Sequence, residues 1–388
     1  MEQQAQQNNV VADGGADAAA HAGNASLQTA ALKFLRWAHS KALLRVDSYY
    51  PGDGYDEPEF DDVEDRGIAL LRQKQIRFVG VNQHRQEITV FLNKAAPGDR
   101  LLKHLPKTCD GFQLKYRQGS PNAVSPANVA EATNPCAIHI APTGVRYYTC
   151  GSSISVGNSR GAGTLGCLVK DAAGTLYGLS NNHVSASCNY APVGLPIVAP
   201  GILDVSPVNP APFTLGFHER QLSMQMGDPT IVDSTQNQDA AIFKIHSPGV
   251  ISSMQQGHYD TPATSIDLKP GMEVEKVGRS SGYTKGRVLC EIVGPVDVAY
   301  TAPQHNFNGL VYFEPMYLVH GLTDRFSEAG DSGSLVVHQD AAGVKHAVGI
   351  VVAGGEDSSA PGGKLSLIMP IRPILNQLGV GLVSGHNV

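Results

Sequence analysis

From about residue 145 onward the chain is a succession of short apolar runs. They read "GTLGCLVKD", "LYGLSNNHV", "DAAIFKI", "MEVEKVG", "GRVLCEI", "LVYFEPMYL", "GSLVVHQ" and "HAVGIVVAGG". Each is a strand's length, and Gly, Pro, Asn and Asp punctuate them. Segments this short cannot supply the sustained 3.6-residue periodicity of a helix bundle. With 42 Gly, 24 Pro and only 16% charged residues, the chain is suited to strands joined by tight turns. The pattern predicts a mainly β sandwich or barrel. At the end, "IMPIRPILNQLGVGLV" sets Ile371, Ile374, Leu375 and Leu378 at helical spacing, which predicts a C-terminal helix packed on the barrels.

The first part of the chain has a different character. Residues 1–24 are polar and small and are expected to be disordered. In residues 25–58, Leu27, Ala31, Phe34, Leu35, Ala38 and Ala42 share one helical face, and an acidic linker follows. Residues 59–118 read as helix, strand, strand, helix, strand: a small α+β module, regulatory or docking in role. Residues 119–144 form a linker rich in Pro, Ala and Asn, which leaves 145–388 as the main domain.

The stretch "FSEAGDSGSLVV", residues 326–337, has turn chemistry that a buried strand does not need at its entrance. Glycines on both sides of Asp331-Ser332 allow a tight bend in which the N–H groups of Gly330 and Ser332 converge beside an exposed hydroxyl. Acyl transfer needs a nucleophile, a base, a group that orients the base, and N–H donors for the oxyanion. Ser332 supplies the first. His183, at the end of the apolar run "LYGLSNNHV", is the candidate base. Asp239, just ahead of the alternating Ala241, Phe243 and Ile245, is the candidate orienting acid. Asp228 and Asp233 are rivals in a polar loop with no strand behind them.

The order His, Asp, Ser and the "GDSGS" turn resemble the trypsin-like, chymotrypsin-fold serine peptidases of the PA clan. "EKVGRSSGYTKGRV" is similar to the V-G-R-[ST]-[ST]-G-x-T-x-G segment of the plant NARROW LEAF 1-type proteases and their bacterial relatives. The resemblance covers roughly residues 145–380. It implies a double six-stranded β-barrel, with His183 and Asp239 on the first barrel and Ser332 on the second. It implies a serine endopeptidase in which Gly330 and Ser332 form the oxyanion hole. By the same resemblance Phe326 lies at the base of the substrate pocket, and Val352, Ala353 and Gly354 form its wall. Val352 stands where relatives have a serine, so the resemblance implies one hydrogen-bond donor fewer for Asp239. No "IVGG"-like start precedes the barrel, so Asp331 needs a partner other than a freed amino terminus. Arg279 or nearby backbone N–H groups are the expected donors.

The net charge of −6 and the lack of a basic stripe argue against nucleic acid as a partner. No secretory signal and no run of about 18 apolar residues is present, which gives the expectation of a cytoplasmic chain off the membrane. Neither C-x-x-C nor H-E-x-x-H occurs, so no metal or other cofactor is expected. Cys167 and Cys188 bracket His183 and would bridge if they met on neighbouring strands. The expected partner is a protein or peptide substrate, with a further protein or a second copy bound through the N-terminal module. A protease fold kept as a weakly active scaffold is the alternative. An esterase elbow, G-x-S-x-G, is not what residues 330–334 spell.

Overall fold

A computed structural model describes residues 15–60, 63–125, 129–132, 134–207 and 211–388, with side chains from Ser26 onward. The protein is mainly β, with two barrel-like sheets, an N-terminal α+β unit and a short terminal helix. Period-2 alternation explains how the strands build it. In Ala241–Ile245, Ala241, Phe243 and Ile245 point into a core inside the first sheet, while Ile242 points into a core between the sheets. In Leu335–Gln339, Val336 faces the interior of the second sheet, and Leu335 and Val337 face the shared core.

The second sheet closes on itself. Strands Glu273–Gly278, Leu335–Gln339, Lys345–Glu356, Lys364–Pro370, Tyr317–Gly321 and Gly282–Ile292 pair in that order, and the last pairs back to the first. The first sheet is a half-barrel. Cys167–Lys170, Leu176–Ser180, Ala241–Ile245, Phe213–Gln221, Pro196–Ala199 and Ser153–Val156 are its six main strands. The two-residue strands Gly381–Leu382 and Gly163–Thr164 flank them, and no pairing among the described residues joins these two edges. The first of the two expected six-stranded barrels is thus a half-barrel flanked by short strands, and the second is closed.

The α+β unit has the expected element order: Asp65–Lys74, Ile76–Asn82, Glu87–Leu92, Asp99–Leu102 and Phe112–Gln118. It continues the second barrel's sheet, since Gly80 and Val81 pair with Ile292 and Glu291. Its strand Ile76–Asn82 is buried along its whole length, with helix Gly15–Ser40 on one side and the barrel on the other. The helix begins within the stretch expected to be disordered, while residues 1–14 fall outside the described residues. Ala42 does not belong to its buried face. The helix stops at Ser40, and Ala42, at φ 53°, turns the chain so that Leu43 enters the core. Helix Ile371–Leu378 buries the four residues expected of it. Among the described residues, no helix is long and apolar enough to cross a membrane.

Candidate active site

His183 and Ser332 reach one cavity from turns at the ends of strands, and Asp239 is buried behind His183. Leu176–Ser180 runs into a single helical turn, Asn182–Ser185, which carries His183. Asp239 lies two residues ahead of Ala241–Ile245, the direct neighbour of Leu176–Ser180 in the sheet. Strand pairing therefore brings together two residues 56 apart in sequence. His183 Nδ1 lies 2.5 Å from Asp239 Oδ2, and the His183 backbone N–H donates to Oδ1 at 3.0 Å. A carboxylate gripping both the ring and the backbone of one residue leaves the imidazole little rotational freedom. The rivals Asp228 and Asp233 lie elsewhere, each bonded within its own loop to Thr230 and Thr235.

A third donor reaches Asp239. The hydroxyl of Tyr300, from strand Val296–Ala302, donates to Oδ2 at 3.0 Å. Tyr300 is completely buried, and burial, reinforced by the Asp239 charge, raises its phenol well above the usual range. It therefore stays a donor. Asp239 has not lost a partner through Val352. Its third hydrogen bond comes from a hairpin strand that the sequence did not connect with the site.

Ser332 and Gly330 border the same cavity from the second barrel, and His183 borders it from the first sheet. Ser332 Oγ donates to the carbonyl of Val352 at 3.2 Å. The turn around it depends on two glycines in the left-handed region, Gly330 at φ 101° and Gly333 at φ 93°. A Cβ on Gly333 would run into the Thr164 carbonyl oxygen. Thr164 clamps the turn from the first sheet: its N–H donates to Ser332 O at 2.8 Å and its Oγ1 to Gly330 O at 3.0 Å. The N–H groups of Asp331 and Gly333 are bonded to Glu328 O and Val351 O. Those of Gly330 and Ser332 have no partner among the described residues.

Beneath the turn, Asp331 is fully buried and so is its partner, Lys276, at 3.0 Å. Ser280 N, Ser281 N, Ser281 Oγ and Glu328 N also donate to this carboxylate. Burial alone would raise Asp331. The Lys276 ammonium, the Ser281 hydroxyl and the Glu328 N–H outweigh it and hold the carboxyl below its usual range. Of the two expected sources, backbone N–H groups reach Asp331 and Arg279 does not. Its guanidinium turns away to Asp204, Ala130 O and Ser280 Oγ. Nothing in "MEVEKVG" itself marks Lys276 as buried, since its partner Asp331 is 55 residues away.

The cavity measures about 170 Å³, and Ala329, Val351, Ala353 and Leu365 give it apolar walls. Phe326 is not among its lining residues. It is packed in the second barrel's core against Val274, Val336 and Ile368, and Ser327 borders the cavity in its place. Val352 also sends its side chain into the core, so its contribution to the cavity's edge is the carbonyl. Ala353 and Gly354 do line it. Glu328 and Lys364 reach the rim, but they pair with Arg325 at 2.9 Å and Glu356 at 2.7 Å.

All six cysteines are free. Burial pushes Cys167 up to about 12 and raises Cys188, so neither is a thiolate that could compete as nucleophile. Among the described residues, no group of His, Cys, Asp and Glu is arranged to hold a metal ion.

The sequence profile of the Nal1 C-terminal domain matches residues 240–371, a span that includes Ser332 but neither His183 nor Asp239. No curated protein sequence matches the chain. Among solved structures, a Nocardiopsis protease is similar at 19% identity, TM-score 0.38, over 60% of this chain and 97% of its own. Thermobifida fusca protease A is similar at 16% identity, TM-score 0.38, over 61% and 98%. A glutamic acid-specific serine protease is similar at 18% identity, TM-score 0.39, over 61% and 100%.

Proposed function

We propose that the protein is a serine endopeptidase that uses His183, Asp239 and Ser332 as its catalytic residues. The observation that carries this reading is the carboxylate of Asp239, buried and bonded at once to His183 Nδ1, His183 N and Tyr300 OH, opposite a serine on a glycine turn. Nδ1–H is committed to Asp239, so the lone pair of the neutral ring is on Nε2. Ser332 Oγ attacks the peptide carbonyl carbon as its proton passes to Nε2. The N–H groups of Gly330 and Ser332 stabilise the oxyanion, while Asp239 offsets the imidazolium charge. Collapse of the tetrahedral adduct breaks the C–N bond, and the imidazolium gives its proton to the leaving amine. Water, deprotonated by the same ring, then hydrolyses the acyl-enzyme.

In this reading Tyr300, Lys276 and Thr164 are positioning residues. Tyr300 fixes Asp239, and Lys276 and Thr164 fix the turn that aims the two N–H groups. An apolar cavity without an unpaired charge favours a small or medium apolar side chain beside the scissile bond, since a buried cation would lose hydration without gaining a partner. The N-terminal unit would dock a partner protein or a second copy, and the reading places the enzyme in the cytoplasm. The test is covalent labelling with diisopropyl fluorophosphate, read by intact mass. A single adduct lost in Ser332→Ala is expected. No adduct on the folded wild-type chain would overturn the proposal.

A further inference from the structure

One edge of the strand Lys345–Glu356 is open where it passes the cavity. Leu335–Gln339 pairs with it only as far as Ile350, whereas Lys364–Pro370 follows the other edge to Glu356. Past that point the backbone groups of Val352, Gly354 and Glu356 have no barrel strand to meet. The pairing with Lys364–Pro370 shifts register at Val352, and the carbonyls of Val352 and Gly354 both face the open edge, where they accept from Ser332 Oγ and Asn122 N. An extended peptide with its scissile carbonyl at Ser332 has this edge as its place to add a strand.

Residues 120–125 already lie there. Ser120 and Pro121 pair antiparallel with Glu356 and Gly355, and the Asn122 N–H donates to Gly354 O at 2.8 Å. The segment then leaves the edge before reaching Val352. Val124 N donates to Ala299 O at 2.7 Å and Val124 O accepts from Thr301 N at 2.9 Å, beside Tyr300. It covers the docking edge without pairing along it as far as the carbonyl next to Ser332. Its hold is mostly through the backbone: Ser120 Oγ bonds Asn93 Oδ1 at 3.1 Å and Val124 packs on the core, but no side chain among residues 120–125 is fully buried, and Asn122 and Ala123 are exposed. Segments with few buried apolar contacts open at low free-energy cost. Its upstream tether is firm, because Arg117, near the end of strand Phe112–Gln118, pairs with the buried Asp357 at 2.7 Å.

We propose that residues 120–125 are a built-in competitor for the substrate main chain, and that an extended peptide must displace them from Gly354–Glu356 to reach Ser332. The inference rests on the endopeptidase reading. It also gives the N-terminal unit a role, since whatever shifts Phe112–Gln118 shifts the competitor attached to it. Asn122→Pro removes the N–H that engages Gly354 O, and Val124→Pro removes the one that engages Ala299 O.

The test compares two serine-directed probes on the full chain. Diisopropyl fluorophosphate is too small to use the strand edge, whereas acetyl-Ala-Ala-Ala-Val diphenyl phosphonate must lie along it. Each variant is expected to react with the small probe at the wild-type rate. Each should react with the peptidyl probe about tenfold faster, the worth of one or two backbone hydrogen bonds. Folded variants with an unchanged peptidyl rate would overturn the competitor.

Hydrogen exchange supplies a second readout that needs no turnover. The amides of Asn122 and Val124 in the wild-type chain should exchange faster with the peptidyl probe seated. Unchanged protection there would also overturn the proposal. Failure of the small probe to label wild type would instead count against the endopeptidase reading, and the same exchange comparison with the non-reacting acetyl-Ala-Ala-Ala-Val amide in excess would then decide the competitor by itself.

Discussion

Lys276→Met removes one half of an ion pair in which both side chains are fully buried. Breaking such a pair by deleting one partner costs roughly 3–5 kcal/mol, because the remaining charge stays in a poorly polarisable surrounding. Asp331 keeps four donors in the variant: Ser280 N at 2.8 Å, Ser281 N at 3.1 Å, Ser281 Oγ at 2.5 Å and Glu328 N at 2.9 Å. That residual solvation places the loss near the lower end, about 3 kcal/mol. Urea unfolding followed by circular dichroism measures it directly. Adding Asp331→Asn to Lys276→Met should restore part of the loss, since the orphaned charge is then gone. Activity should not return with it, because the two N–H groups at Ser332 depend on the same turn; loss of aim costs about 10²-fold in kcat. A single variant within about 0.5 kcal/mol of wild type would refute the claim that Lys276 holds the turn from below.

Tyr300→Phe should leave the fold intact but lower kcat by about tenfold or more, with KM little changed, since it deprives Asp239 of one bond and touches no substrate; an unchanged kcat would count against its positioning role. Gly333→Ala should cost at least about 3 kcal/mol in thermal or urea unfolding, because an L-residue at φ 93° is strained and its Cβ meets Thr164 O; a native-like melting temperature would contradict the packing described. Acid should weaken the wild-type chain through Asp331. Its folded carboxyl lies below the unfolded value, so its contribution is complete above about pH 4 and falls as pH drops through the folded value. Unfolding free energies measured between about pH 6 and 2.5 should therefore decline on the acid side, and a flat profile would argue that Asp331 is not held as an ion.

The parts of the site legible in the sequence are those set by local chemistry. The Gly330 to Gly333 turn shows in its glycines, and strand alternation places Asp239 at the mouth of Ala241–Ile245. The same alternation carries the two-sheet architecture. Positioning residues were not legible, because each meets its partner only through the assembled fold. Tyr300 is 61 residues from Asp239, Lys276 is 55 from Asp331, and Thr164 is 166 from Gly330. Phe326 shows the opposite error. The family resemblance implies a pocket base there, but barrel packing turns the ring inward and leaves Ser327 at the cavity. Residues 120–125 read as linker because Pro, Ala, Asn and Ser give no strand signal, yet an open sheet edge recruits two of them into a pairing.

The central claim is that Ser332 is a nucleophile served by His183, and peptide turnover tests it most directly. The rate of hydrolysis of a peptide with a small apolar residue at the scissile bond should be measured for wild type, Ser332→Ala and His183→Ala, with unfolding curves to show that all three are native. Each variant is expected to lose about 10⁴-fold or more in kcat/KM at unchanged stability. Hydrolysis by Ser332→Ala within about tenfold of wild type would contradict the account.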